Sequence, residues 1–528
     1  MVDPPLITVV DFGQGQMSDK TNIAVGSKVI TQKLNAEESN LIMKTFKQKA
    51  LISALAGASA FAMAGVANAV YVNQDGLGQA LIYPYYTVRA GNVTLLSVVN
   101  TTAQAKAVKV RFLEGKNSQE VLDFNLFLSA KDVWTGLVNA TAGGAAIYTA
   151  DKSCTNPAIP AAGAAFRNYL FVNDAAALQT LDRTREGYVE MIEMATIPNG
   201  SALGKDVTHN NGVPKCSLVN DASFTSAATL ATLDVPSGGM FGNGTILNAA
   251  GGASTGYDAV ALDGLGYVRP NPTSSQATTP NFTSGGSLVA VVNSASNLYV
   301  TRFGRAIDAV SATMMHDNVY GEYAFTKDGI IGTDWVVTMP TKREYVNSVA
   351  ATPPFQRAWS TTEGISCDDV SLTSTDREEF VGTTNDDFSP RPPGAKGNAL
   401  CYEANVISFG GVSGAGASLT LGSTNVVGIT TIQNQGADVL TAGKEGGWLQ
   451  LTFQNVNALL VGSGEVITTA GAAASTSGTV SQTYYGLPVV GFAISGASFK
   501  TGNPQQNYSN SYSLKASRKI VYGTVTPG

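Results

Sequence analysis

Val108-Lys109-Val110-Arg111-Phe112-Leu113 and, a few residues on, Val121-Leu122-Asp123-Phe124-Asn125-Leu126-Phe127-Leu128 decide the fold class. In the first, Val108, Val110 and Phe112 share one face and Lys109 and Arg111 the other. In the second, Leu122, Phe124, Leu126 and Leu128 oppose Asp123 and Asn125. Side chains on an extended chain alternate between faces, so this period of two predicts half-buried β-strands. The same alternation recurs where Leu449, Leu451 and Phe453 interleave with Gln450, Thr452 and Gln454. Val93–Asn100, Asp334–Thr338 and Leu487–Ile494 are further strand candidates, and Tyr188–Met194 fits strand or helix. Turns rich in Gly, Asn and Ser separate these segments at short intervals, which favours antiparallel pairing over βαβ units. Helix is expected to be minor, at Ala175–Leu181 and Ala222–Leu233. The expected class is mainly β, with two or more antiparallel β-sandwich-like domains and long Gly/Ser/Thr/Asn-rich loops. Low-complexity stretches at 235–256, 269–286 and 465–480 read as loops. The echo of Asp75-Gly76-Leu77-Gly78 in Asp263-Gly264-Leu265-Gly266 reads as two similar turns.

Composition narrows the function. Of 528 residues only 14% are charged, 44% are hydrophobic and 56 are Gly. An ordinary globular chain carries roughly 25% charged residues. The 33 Lys and Arg against 39 Asp and Glu give a net charge of −6, without the basic surface that nucleic-acid phosphates require. No nucleic-acid partner is expected. His209 and His316 are the only histidines, which leaves little material for imidazole catalysis or a multi-His metal site.

Residues 43–69 carry a leader signature. Lys44, Lys47 and Lys49 precede the uncharged run Ala50–Ala64, and Ala67-Asn68-Ala69 supplies the small residues of a cleavage site. This is the pattern of a secretory signal peptide, with cleavage expected between Ala69 and Val70. Residues 1–42 then form an upstream extension outside the native protein, with Met43 as the true start. The mature chain divides into 70–345, one or more N-terminal β domains, and 346–528, a C-terminal β domain. The latter holds an acidic, Pro-containing insertion at 363–401.

All four cysteines, Cys154, Cys216, Cys367 and Cys401, follow the leader. An even number in an exported chain reads as two disulfides. Of three pairings, the nearest-neighbour one, Cys154–Cys216 with Cys367–Cys401, is expected. It closes loops of about 62 and about 34 residues, worth roughly 4 kcal/mol each in the chain-entropy account. A zinc site of four thiolates would lack any C-x-x-C spacing.

Between Glu363 and Asp387 the acids Asp368, Asp369, Asp376, Glu378, Glu379, Asp386 and Asp387 are opposed within the stretch only by Arg377. Oxygen ligands in a loop-rich segment suit Ca²⁺, and these seven are the candidate ligands. A solvated acidic face is the alternative. Gly252-Ala253-Ser254-Thr255-Gly256 matches the nucleophile-elbow pattern but lacks an apolar strand before it. His316 beside Asp317 is a turn or strand end, and His209 is expected to face solvent. No catalytic residue is assigned. An outer-membrane barrel, the competing all-β class, would end in a strand with a terminal aromatic, whereas this sequence closes Thr524-Val525-Thr526-Pro527-Gly528.

Several short motifs occur in order. They are Tyr83-Pro84-Tyr85-Tyr86 after Asp75-Gly76-Leu77-Gly78, Val108 to Gly115, Trp134-Thr135-Gly136, Arg185-Glu186-Gly187-Tyr188, Thr333 to Val337 with Pro340-Thr341-Lys342-Arg343, Asp376-Arg377-Glu378-Glu379, Leu400-Cys401-Tyr402-Glu403 and Tyr485 to Phe492. Together they resemble the large secreted S-layer and biofilm-matrix surface proteins of marine gammaproteobacteria. The resemblance implies no enzyme and no catalytic residues. It implies a structural protein, exported and self-assembling into a two-dimensional lattice at the extracellular face of the outer membrane. Its partners would be copies of itself and the membrane surface with its lipopolysaccharide. An adhesin or filament subunit, and then a secreted hydrolase, are the alternatives.

Overall fold

In the computed structural model the described residues are 69–266, 280–283, 286–295, 297–326, 330–377, 379, 381–383, 399–409, 418, 420–425, 445–453, 459–468, 480–499 and 506–523, together with two short paired strands, Ile7–Val9 and Ile30–Gln32. The leader, apart from Ala69, lies outside them. The chain forms two compact units, Met1–Ala67 and Asn68–Gly528.

The second unit is mainly β, as the alternation predicts. Its largest sheet has 12 strands. Glu120–Leu128, Ala105–Glu114, Glu186–Ile197 and Ala80–Thr87 stand side by side in antiparallel register. The sheet continues through Val260–Asp263 and Ala69–Val72 to Val289–Ser294, the last pair being parallel, and ends on Leu459–Thr468, Val480–Tyr485 and Lys519–Tyr522. A 6-stranded sheet built around Val93–Asn100 shares one core with its first half, where Tyr83, Val98, Val110, Phe112, Trp134 and Ile147 meet. A second core lies under the 5-stranded and 4-stranded sheets that contain Asn318–Ala324 and Ile331–Thr338.

The strands Ala105–Glu114 and Glu120–Leu128 lie where periodicity puts them, but the first is buried on both faces. Val108, Val110 and Phe112 enter the apolar core. Lys109 and Arg111, expected on the outer face, are buried with acidic partners, as is Lys106. Lys106 pairs with Glu193 at 2.8 Å, Lys109 with Asp123, and Arg111 with Glu120 at 2.7 Å and Glu190 at 2.8 Å. Part of the cover comes from residues 198–234, whose Leu203, Val207, Val219 and Phe224 pack with Ala105, Ala107 and Phe127 into a satellite core. The Cys154–Cys216 disulfide ties this cover to the sheet, and Cys367–Cys401 closes the second expected loop.

Other expectations need correction. Residues 345 and 346 do not separate two bodies: Asn297–Arg302 pairs with Leu459–Thr468, and Ile331–Thr338 with Ala404–Phe409. Strands from both sides of the expected boundary complete common sheets. The low-complexity stretch 235–256 is largely hairpin, Met240–Asn248 against Ala253–Asp258, because small polar residues suit an edge whose outer face is solvated. Ala222–Leu233 is two short helices, Asp221–Phe224 and Ala227–Leu230, since Ser226 caps the second through the Thr229 amide. Ala175–Leu181 becomes 3-10 turns. The longest described helix, Ala306–Met314, was not expected; it buries Ile307, Val310 and Met314 in the second core.

Candidate functional site

Several of the motifs behind the resemblance meet in space, those of Tyr85, Gly115, Glu186, Tyr188, Arg343 and Glu403. The tight turn Gly115–Gln119, joining the two strands that decide the fold, is their meeting point. Ser118 sits there with φ +55°, a left-handed conformation uncommon outside Gly. The turn is organised by the buried carboxylate of Glu114, which accepts from the amides of Lys116 (2.9 Å), Asn117 (2.9 Å) and Gln119 (3.2 Å). Arg183 grips the same carboxylate at 2.9 Å, reaches Asp174 at 2.7 Å and stacks over Phe171. Burial pushes the Glu114 carboxyl up, but Arg183 and the amides outweigh it and hold the group below the usual carboxylate range.

Residues distant in sequence dock on this turn. The amides of Glu403 and Ala404 donate to the Gly115 carbonyl at 3.0 and 2.9 Å, and Arg343 donates to the Ser118 carbonyl at 2.9 Å. The Ser118 hydroxyl bonds the Glu403 carboxyl and lies 2.7 Å from the Tyr188 hydroxyl. Glu186 accepts from Arg89, Tyr85, Ser423 and Thr424. Lys342 pairs with Asp368 at 2.7 Å. Above this network lies a pocket of about 220 Å³ whose lining includes Lys116, Ser118, Arg343, Trp359, Asp174 and Glu403.

Burial is the dominant influence on Glu403, raising its carboxyl well above the ordinary value; Lys342 and Arg343 oppose this and Glu114 and Glu344 reinforce it. The surroundings of Glu403 therefore favour its protonated form over that of a free carboxyl. A carboxyl biased towards its protonated form is a poor acceptor for the Ser118 proton. The junction holds chain segments together.

Of the candidate Ca²⁺ ligands, Asp368 and Asp369 are engaged by cations of the chain itself. Asp368 is buried, paired with Lys342 and bonded by the Gln356 amide at 3.0 Å. Asp369 takes both oxygens to Arg357 at 2.9 Å. The balancing cations come from outside the acidic stretch, where reading that stretch alone does not find them. Asp376 is buried in the strand Ser371–Asp376, and Glu379 is exposed. Glu378, Asp386 and Asp387 lie outside the described residues. Among the described residues no three of His, Cys, Asp and Glu gather to hold a metal ion.

Ser254 lies mid-strand in Ala253–Asp258, not on a strand-to-helix turn, so the elbow pattern is a chance match. His209 is half-buried instead of facing solvent. Its Nδ1 meets both Ser129 (3.1 Å) and Asp132 (3.5 Å); a catalytic triad needs these partners on opposite ring nitrogens. Asp317 accepts from Asn318 and Ser517. Ala69 and Val70 begin a buried strand. Gly264, at φ +67°, lets that strand approach so closely that a Cβ there would stand 2.1 Å from the Ala69 carbonyl oxygen.

The sequence reading passed over Ser118, Arg183, Glu186, Lys342 and Glu403 as site residues. Glu190 and Glu193 inside the apolar run Tyr188–Met194 carried a usable signal: such charges imply buried partners. The chain matches no family model, no curated protein and no solved structure.

Proposed function

We propose that the chain is an exported structural protein that self-assembles into a two-dimensional S-layer lattice outside the outer membrane and is shed into biofilm matrix. The observation that carries this reading is where the charge goes. The chain has few charged residues, and among the described residues fifteen Asp, Glu, Lys and Arg side chains are buried, most of them in ion pairs. That lowers the charge left for the outer surface. Identical copies bearing such a surface approach with less like-charge repulsion, and low surface charge promotes association. Tyr169 and Val172, 70% and 67% exposed, add apolar contact area.

Two further observations support export. The compact unit begins at Asn68, within two residues of the expected cleavage point. Both disulfides suit an oxidising compartment. Copies of the chain and the lipopolysaccharide-bearing outer surface are the partners in this reading, and no catalysis is invoked. Imaging of cell envelopes tests it. A periodic array should be present in cells that make the protein and absent after deletion of its gene. Filaments in place of an array would favour the filament-subunit alternative, and bare envelopes would refute the lattice.

A further inference from the structure

A cavity of about 570 Å³ opens where strands of all four large sheets meet. Val72 and Val260 come from the 12-stranded sheet, Val319 and Ala516 from the 5-stranded one, Val337 and Val490 from the 4-stranded one. The 6-stranded sheet contributes Thr245 and Asp258. Small-molecule sites have this volume and this mainly apolar wall with a few placed polar groups.

The polar groups are asymmetric. Arg518 lines the cavity and closes the C-terminal end of the helix Ala306–Met314, donating to the carbonyls of Thr313 (2.7 Å), Met315 (2.8 Å) and Ala312 (3.4 Å). The negative end of the helix partly balances it, but no carboxylate among the described residues pairs with it. Beside it, Nδ1 of His316 is buried without a hydrogen-bond partner. Burial, with the charge of Arg518, pushes the His316 imidazole down to about 3, so the ring is neutral and does not repel a cation or demand an anion of its own. Asp258, the one carboxylate in the lining, is already bonded to the Asn243 amide.

We propose that this cavity binds a free carboxylate bearing a single apolar chain, the chain lying along the valine wall and the carboxylate meeting Arg518 and His316. The inference does not depend on lattice formation, because the site is complete within one chain.

Thermal unfolding of the purified protein with decanoate, and with decanol as the uncharged control, tests it. A ligand that binds only the folded state raises the midpoint with concentration. Decanoate should raise the midpoint more than decanol does. Arg518→Gln should weaken decanoate about tenfold, the loss of one charge-assisted contact, and leave decanol unchanged. Val490→Phe, which narrows the cavity without touching the polar end, should weaken both. If Arg518→Gln does not fold, the Val490→Phe comparison decides alone. No midpoint shift with decanoate below its micelle-forming range would overturn the proposal. So would equal shifts in the wild type and Val490→Phe.

Discussion

Ser118 and Glu403, 285 positions apart in the chain, hydrogen-bond to one another in the interior. One belongs to the turn between the strands that decide the fold. The other follows a disulfide in what reads as a separate C-terminal domain. Their contact is one of several that join the two halves, beside the shared sheets, and it gives the junction a pH signature.

Glu403 is held above its ordinary value of 4.5, so the folded state keeps its proton where the unfolded state has released it. The stabilisation this gives is complete below the unfolded value and is lost as pH rises above it toward the folded value. Glu403→Gln keeps a neutral hydrogen-bonding group and cannot titrate. Denaturant midpoints measured from pH 4 to pH 8 should therefore fall less steeply with rising pH in the variant. Parallel curves would show that Glu403 is ionised in the folded protein.

Glu114 acts in the opposite sense. Its carboxyl is held below 4.5, so its stabilisation is present above the unfolded value and lost as pH falls through the folded one. Glu114→Gln should remove about 3 kcal/mol at neutral pH by leaving Arg183 short of one buried partner. The deficit should shrink in acid, as chemical denaturation at pH 7 and pH 3 would reveal.

Asp368 is paired with the buried Lys342. Asp368→Asn leaves the Lys342 ammonium buried without its counter-charge, and about 3–5 kcal/mol should be lost. The loss should be the same in chelator and in millimolar Ca²⁺. A loss that appears only with Ca²⁺ would assign Asp368 to a metal site.

The Cys154–Cys216 disulfide fastens the 198–234 cover over the face of Ala105–Glu114 that carries Ala105 and Ala107. Replacing both cysteines with Ser should lower stability by roughly 4 kcal/mol. Hydrogen exchange should quicken first in 198–234 and then at Ala105, Ala107 and Phe127, which it covers. Uniform quickening across the unit would deny the cover its local role.

The strands were legible because a period of two states directly which side chains share a face. Val93–Asn100 matches the strand formed to the residue. The disulfides were legible from their number and nearness. What covers a sheet was not legible: Lys109 and Arg111 look solvent-facing until Asp123, Glu120 and Glu190 are brought opposite them by pairing. The partners of the acidic run were hidden for the same reason, since Lys342 and Arg357 stand outside it. Ser118 carries no local mark at all; its strained backbone and its bond to Glu403 exist only once distant segments dock.

The central claim is that burying charge leaves a surface fit for self-association. It is tested most directly by electron diffraction from the purified, exported protein at roughly 0.1 M and roughly 1 M salt, where the screening length falls from about 10 Å to about 3 Å. Contacts between surfaces of low charge predict ordered sheets with the same lattice at both. Monodisperse particles at both salts, or sheets that dissolve as salt is raised, would contradict it.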